Sequence, residues 1–267
     1  EIYTLSLHDA LPISENMKVF TSTKKAKKSR KLVFELLLAD QPKREIAHDN
    51  ESQFWNWIDK IELKENRFPK KTPCEPDVSH PSMAVNLDAC IQCNLCVRAC
   101  REVQVNDVIG MAYRGENSKI VFDFDDPMGE STCVACGECV QACPTGALMP
   151  ASVVDEKGIG HTDIDHKVES VCPYCGVGCQ IEYNVKDNKI KYVNGLDGPA
   201  NKNRLCVKGR FGFDYVSNPE RLTKPLIRIN GKPKDLHPNI NFSNIHEYFR
   251  EASWEEALDF AAEGLKK

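Results

Sequence analysis

The placement of the thirteen cysteines constrains this chain more than any other feature of its 267 residues. None occurs before Cys74, and twelve of the thirteen fall into three tight groups. Secreted disulfide scaffolds are short and dense in cysteine throughout, whereas grouped thiols in an otherwise ordinary chain typically bind metal. The sequence therefore predicts metal centres rather than a disulfide framework.

The first two groups share one spacing, C-x2-C-x2-C-x3-C. They consist of Cys90, Cys93, Cys96 and Cys100, and of Cys133, Cys136, Cys139 and Cys143, with Pro144 following. This run is typical of bacterial two-cluster ferredoxins, in which the fourth cysteine of each run ligates the other cluster. A zinc site would leave the third and fourth cysteines without a role. We therefore expect one 4Fe-4S cluster on Cys90, Cys93, Cys96 and Cys143, and a second on Cys133, Cys136, Cys139 and Cys100.

The third group has a different spacing and a distant fourth member. Cys172, Cys175 and Cys179 form C-x2-C-x3-C, and Cys206 follows after 26 residues. Apolar residues alternate with polar ones on both sides of Asp187-Asn188, which predicts a β-hairpin. Such a hairpin would bring Cys206 back to the other three, so we expect a third 4Fe-4S cluster there.

Two segments around this third group resemble a known family. They are Cys-Pro-Tyr-Cys-Gly-Val-Gly-Cys, ending at Cys179, and Leu205-Cys206-Val207-Lys208-Gly209-Arg210. Together they resemble the entry domain of molybdenum or tungsten bis-pterin oxidoreductases. The resemblance implies that Lys208 relays electrons between the cluster and a pterin, and that Gly209 and Arg210 lie in the cofactor-binding segment. The alternative for Lys208 is an ordinary surface lysine.

The order of the two modules restricts the families that this chain resembles. A two-cluster ferredoxin module followed by this entry module resembles the α subunit of formate dehydrogenases and the large iron-sulfur subunit of respiratory complex I. The stretch Asp88–Gly110 is similar to the former, and the resemblance covers residues 30–267. A complex I-like subunit and a stand-alone polyferredoxin remain alternatives. Lys208, followed by a domain lead-in at Asn218–Leu226, favours the enzyme subunit.

The resemblance implies a function and partners. An intact protein would be an oxidoreductase that oxidises formate to CO2 at a molybdenum or tungsten bis-molybdopterin guanine dinucleotide centre, in the cytoplasm. Electrons would pass through three 4Fe-4S clusters to a flavin- and NAD-binding iron-sulfur partner subunit, or to a ferredoxin-linked partner. In this family the catalytic cysteine or selenocysteine, with a nearby His and Arg, lies well downstream, so we expect no catalytic residue within this chain.

One departure from the family concerns an upstream cluster. The family's Asp-His-Pro-x-x-Cys context corresponds here to Asp40–Glu45, with Gln41 in place of the histidine and Glu45 in place of the cysteine. That cluster is therefore expected to be absent. Cys74 lacks partners at metal-binding spacing and is predicted to be a spare thiol. We expect His48 and His80 to be surface or capping residues.

These patterns predict an α+β fold, made of a ferredoxin-like two-cluster module, a small β-rich cluster domain and the start of an α/β molybdopterin domain. The expected divisions are a helical N-terminal remnant of an iron-sulfur region at 15–79, a two-cluster domain at 80–153, a linker at 154–164, a bis-pterin-type cluster domain at 165–222 and a truncated catalytic domain at 223–267. Residues 1–14 resemble a translated sequencing adapter and are expected to be an artefact.

The net charge and the hydropathy of the chain bear on two further classes, nucleic-acid-binding proteins and membrane-spanning proteins. The formal net charge is -4, with one local basic run at 24–31 that we interpret as a solvated linker or helix start. We therefore expect no nucleic-acid partner. No apolar run approaches the roughly 18 residues of a membrane-spanning helix, so no span is expected.

Overall fold

The computed structural model describes residues 15–70, 72–156, 158–232, 234 and 239–266. The predicted artefact at 1–14 lies outside these residues. The helices are α1 (Lys24–Ala39), α2 (Gln53–Lys60), α3 (Leu95–Arg98), α4 (Glu138–Ala142), α5 (Val207–Phe211) and α6 (Trp254–Leu265). The strands are β1 (Met83–Val85), β2 (Ile109–Ala112), β3 (Lys119–Phe122), β4 (Leu148–Pro150), β5 (His166–Val171), β6 (Gln180–Lys186), β7 (Lys189–Gly195), β8 (Leu226–Arg228) and β9 (Phe249–Glu251). This mixture of helices and strands agrees with the predicted α+β class.

The chain divides into two compact units, one ending at Phe211 and the other beginning at Gly212. No helix of the described residues combines the length and apolar character needed to cross a membrane.

The N-terminal helices form a small apolar core of their own. Thr23 caps α1 by accepting a hydrogen bond from the Ala26 N–H at 3.1 Å, so the basic run begins a helix, as one interpretation held. Behind it, Phe34 of α1 packs against a buried group built on Phe54 and Trp55 of α2. The Phe54 N–H donates to the Pro144 carbonyl at 3.0 Å, which fastens this segment to the second cysteine run.

Two short strand pairs frame the first two cysteine runs. β1 pairs antiparallel with β4, Met83 lying opposite Pro150, and β2 pairs antiparallel with β3. β2 and β3 both lie in the insert between the two cysteine runs. Met83, Met128 and Leu148 are almost wholly buried in the core between these pairs. Each cysteine run is thus a loop and a short helix held on one compact core.

The third cysteine group lies on a three-stranded antiparallel sheet in the order β5-β6-β7. The predicted hairpin is its β6-β7 half. Asp187 and Asn188 have φ of 50° and 56°, and two consecutive positive φ values define the type I′ turn that suits a two-residue hairpin. Ile181 and Val193 are buried on one face of the sheet.

The second unit contains the β8-β9 pair and α6. Leu226 lies opposite Glu251 in the antiparallel pair. Ser253 Oγ accepts a hydrogen bond from the Glu256 N–H at 3.1 Å and so caps the start of α6. Trp254 and Leu258 of α6 are exposed.

The expectation for the two histidines was wrong for His48. His48 is buried because the segment predicted to be a linker, at 154–164, packs on it and the Gly158 carbonyl accepts a hydrogen bond from its Nδ1. His80 is also buried, yet its Nδ1 accepts a hydrogen bond from the Ser82 N–H at 3.1 Å, which is a capping role.

Candidate functional site: three groups of cysteines

The first cysteine loop is shaped by two left-handed residues. Gln92 and Asn94 have φ of 55° and 62°, and they flank Cys93. The resulting turn lets the Gln92 N–H donate to the Cys90 Sγ at 3.4 Å. Hydrogen bonds to sulfur stabilise a thiolate, and they are one of the means by which a protein sets the potential of an iron-sulfur cluster.

The second cysteine loop repeats this geometry at the same positions. Ala135 and Gly137 have φ of 55° and 70° around Cys136, and the Ala135 N–H donates to the Cys133 Sγ at 3.4 Å. A left-handed conformation costs a non-glycine residue roughly 1–2 kcal/mol. Because the same conformation occurs in both loops, it is a property of the motif rather than an accident of one loop.

The electrostatic neighbours of Cys96 outline one group of thiols. The pKa of Cys96 is raised to about 12, mainly by burial and also by the proximity of Cys143, Cys90 and Cys93. All four cysteines also line one cavity, together with Ile120 and Leu148. The structure thus brings Cys143 of the second run to the three loop cysteines of the first.

Cys139 occupies the corresponding place in the other group. Burial raises its pKa well above the ordinary 9.0, and Cys136, Cys133, Cys96 and Cys100 add to that effect. Bound iron would deprotonate these thiols, so the cluster charge must offset the cost of burying several thiolates together. Since Cys96 belongs to the first group, the two groups adjoin.

The fourth cysteine of each run sits on a separate structural element. Cys100 is buried within a π-helical turn at Ala99–Val103, directly after α3, and its Sγ accepts from the Val108 N–H at 3.4 Å. Cys143 ends α4, and its Sγ lies 3.6 Å from the Thr145 hydroxyl. π-Helical turns are frequent at functional sites because they reorient one side chain within a helix.

The third group gathers at one end of the three-stranded sheet. Burial raises the pKa of the Cys179 thiol, and Cys172, Cys175 and Cys206 contribute by proximity. The Cys172 N–H donates to the Cys179 carbonyl at 2.8 Å, which extends the β5-β6 ladder to the two cysteines. Cys175 and Cys206 are exposed. The hairpin therefore brings all four cysteines together, which was the geometric expectation.

Lys208 and Arg210 lie one helical half-turn apart on α5 but point differently. The Lys208 ammonium is 6.0 Å from the centroid of the Tyr174 ring, beside the third group. Arg210 is buried, and its guanidinium points to the second cysteine loop. Between them, a Cβ on Gly209 would lie 3.6 Å from the Cys172 Sγ, so the helix backbone passes close to that sulfur.

Two further residues that the sequence analysis names, Gln41 and Cys74, lie near the first loop. Gln41 is buried and its Nε2 donates to the Ala89 carbonyl at 3.0 Å, immediately before Cys90, while Glu45 is exposed. Cys74 is partly buried and lines a cleft that also includes Cys90. This contact of Gln41 could not be predicted from the sequence, because its partner is 48 positions away in the chain.

In the described ranges, no three His, Cys, Asp or Glu side chains meet at the distances of a single bound metal ion. The thiolates that hold a four-iron cubane each bind a different iron atom, so they surround a volume rather than a point. Four cysteines per site, with backbone N–H groups directed at sulfur, form a donor set that fits a 4Fe-4S cluster. Loops of this kind define an iron-sulfur protein of the 4Fe-4S class.

Comparison with known proteins agrees with that class. Residues 89–147 match the 4Fe-4S dicluster domain, and residues 165–218 match the molybdopterin oxidoreductase Fe4S4 domain. A putative formate dehydrogenase of Staphylococcus haemolyticus is 31% identical over an alignment that covers 82% of this chain and 24% of that protein. A probable oxidoreductase of Bacillus subtilis, YjgC, is 32% identical over 76% of this chain and 23% of its own length.

Residues 165–218 thus belong to the molybdopterin oxidoreductase Fe4S4 domain family, and the chain is similar to proteins named putative formate dehydrogenase. It spans about a quarter of the length of these curated relatives. A chain of an NAD+-reducing NiFe-hydrogenase shares 22% sequence identity, with a TM-score of 0.49 over 54% of this chain and 62% of that one.

Proposed function

We propose that this chain is the electron-transfer part of a formate dehydrogenase α subunit, and that it passes electrons through three 4Fe-4S clusters to an NAD- or ferredoxin-linked partner. The observation that carries the proposal is the arrangement of the three cysteine groups. Cys96 and Cys139 of the first two groups lie within electrostatic reach of each other, and α5 links the third group to the second. Closely spaced clusters suit electron hopping.

The proposed ligands follow the predicted exchange between the runs. One cluster would be held by Cys90, Cys93, Cys96 and Cys143, a second by Cys133, Cys136, Cys139 and Cys100, and a third by Cys172, Cys175, Cys179 and Cys206. The proximity of Cys143 to Cys96, and of Cys100 to Cys139, supports the exchange. Exposure of Cys175 and Cys206 leaves one side of the third site accessible to a neighbouring domain or cofactor.

A bis-pterin centre, when bound, would supply the two-electron oxidation of formate to CO2. Residues of this chain beside the third cluster would then help electrons pass from that centre to the cluster. Lys208 would place a positive charge between the third cluster and the pterin, and its position beside Tyr174 supports this role. Gly209 would keep the backbone close to Cys172. Arg210 directs its guanidinium away from this side, so we limit the proposed cofactor contact to Lys208 and Gly209.

Formate-driven reduction of the clusters tests this function. The polypeptide encoded by the complete gene would be prepared anaerobically with molybdate or tungstate, mixed with formate, and examined by electron paramagnetic resonance. Signals of reduced 4Fe-4S clusters should appear with formate and not with acetate. If the clusters are reduced by dithionite yet formate has no effect, whichever metal is supplied, the formate assignment is wrong and a complex I-like subunit or a polyferredoxin carrier replaces it.

A further inference from the structure

Arg210 is the most deeply buried charged side chain near the cysteine groups, with 2% of its surface exposed. Its guanidinium donates three hydrogen bonds, all to the second cysteine loop and α4. Nε donates to the Cys136 carbonyl at 2.9 Å, Nη1 to Gln141 Oε1 at 2.8 Å and Nη2 to Glu138 Oε2 at 3.3 Å. Arginine is suited to such a site because its planar fork can serve several acceptors at once.

The second loop is shaped to receive this side chain. A Cβ on Gly137 would lie 2.1 Å from the Arg210 Cδ and 2.8 Å from the Phe211 ring, so only glycine lets the arginine cross the loop. Phe211 also packs against the core that carries the first two groups. The end of α5 is therefore anchored in the ferredoxin-like core.

The beginning of α5 adjoins the third cysteine group. α5 starts directly after Cys206, and the Arg210 N–H donates to the Cys206 carbonyl at 3.1 Å. Four residues of helix advance by about 6 Å along the axis. A single helical turn thus connects a predicted ligand of the third cluster to the peptide of Cys136, a predicted ligand of the second.

Gln141 extends this connection. Its Oε1 accepts from the Gly195 N–H at 3.2 Å as well as from Arg210, and its Nε2 donates to the Asn203 carbonyl at 3.0 Å. Gly195 ends β7, and Asn203 lies in the segment that leads to Cys206. The contact between the second and third sites is therefore a partly buried polar network centred on Arg210 and Gln141.

Arg210 also changes the electrostatics of the second loop. Its Nε lies 2.9 Å from the Cys136 carbonyl oxygen, and its Nη2 pairs with Glu138 Oε2 at 3.3 Å. A buried cation is thus fixed against the peptide of a proposed cluster ligand.

We propose that Arg210 is a positioning residue for electron transfer between the second and third clusters. It holds the Cys133–Cys139 loop against the Cys172–Cys206 site, and its charge raises the reduction potential of the second cluster. The inference rests on the proposed cluster ligands, because it assigns Arg210 to the cluster held by Cys100, Cys133, Cys136 and Cys139. Adding an electron makes a cluster more negative, so a buried cation favours the reduced state.

The test compares midpoint potentials in the reconstituted 267-residue chain, with the second cluster identified as the signal lost in Cys139→Ala. Arg210→Gln should lower the midpoint potential of that cluster by ~59 mV, which corresponds to a tenfold smaller equilibrium constant for its one-electron reduction. Arg210→Lys keeps the charge and should shift it less. Arg98→Gln is the matched control, because Arg98 lies beside Cys96 and Cys100 in the chain but its side chain is 66% exposed.

A second variant, whose expected shift in midpoint potential has the opposite sign, tests the proposal if Arg210→Gln fails to fold. Glu138→Gln removes the opposing carboxylate and should raise the potential of the second cluster. It should also leave the magnetic coupling between the second and third clusters intact, whereas Arg210→Gln should weaken it. Unchanged potentials in both variants, with wild-type iron content, would overturn the inference. A wild-type chain that binds no clusters would instead defeat the proposed function.

Discussion

Gln92 and Ala135 occupy the same position in the two cysteine loops, and both have a left-handed backbone with φ of 55°. Each N–H then donates to the sulfur of the cysteine two residues earlier, at 3.4 Å in both loops. The backbone geometry therefore repeats along with the cysteine spacing. The backbone itself directs these sulfur atoms into each site, so their orientation does not depend on a particular neighbouring side chain.

Gly137 is the loop position where we expect the greatest sensitivity to a single methyl group. Gly137→Ala would drive a Cβ into the Arg210 and Phe211 side chains and require a left-handed alanine. The free energy of unfolding should fall by about 1–3 kcal/mol, as for overpacked sites. Urea unfolding under argon, followed by circular dichroism, measures this loss. Gly110→Ala is the control, because no atom lies within 4 Å of its Cβ position; equal losses in both variants would refute the packing argument.

Single cysteine substitutions should divide into two classes by iron content. Cys139→Ala and Cys96→Ala each remove a proposed ligand from a buried site and should reduce iron by up to about four atoms per chain. Cys74→Ala should leave iron unchanged, since Cys74 is not in any proposed ligand set. Colorimetric iron analysis of the reconstituted chains distinguishes these outcomes. Loss of a cluster in Cys74→Ala would show that the first ligand set is wrong.

His48 predicts a dependence of stability on acid. Burial lowers the pKa of His48 below the ordinary 6.5, and its hydrogen bond to the Gly158 carbonyl opposes this shift only in part. The neutral imidazole therefore stabilises the fold above about pH 6.5, and this contribution is lost as the pH falls through the lowered pKa. The urea midpoint should drop between pH 7 and pH 5, and drop less in His48→Gln. His166→Gln, which removes an exposed imidazole, serves as the control; an equal change in both variants would contradict the assignment to His48.

The sequence predicted the cysteine groups and the β6-β7 hairpin, because each depends on spacing or on residues a few positions apart. It did not predict the burial of His48, which follows from the passage of Gly158 and Gly160 over it. A Cβ on Gly160 would come within 1.8 Å of the His48 carbonyl oxygen, so that close approach requires glycine. It also did not predict the hydrogen bond from Arg210 to the Cys136 carbonyl, because these two residues are 74 positions apart in the chain.

Lys208 should affect the rate of electron transfer more than the content of clusters. In the polypeptide from the complete gene, Lys208→Met would remove the proposed cationic relay beside Tyr174. We expect formate-driven reduction of the third cluster to slow about tenfold, equivalent to ~1.4 kcal/mol in the barrier, with iron content unchanged. Rapid-freeze paramagnetic resonance measures the rate. Lys202→Met, an exposed lysine outside α5, should retain the wild-type rate; equal slowing in both would remove Lys208 from the relay.

The stoichiometry of iron and acid-labile sulfide in the anaerobically reconstituted 267-residue chain tests the central claim most directly. Three 4Fe-4S clusters predict about twelve iron atoms and about twelve sulfides per chain, with about four of each lost in Cys139→Ala. Two or three zinc atoms per chain, with no acid-labile sulfide, would contradict the account.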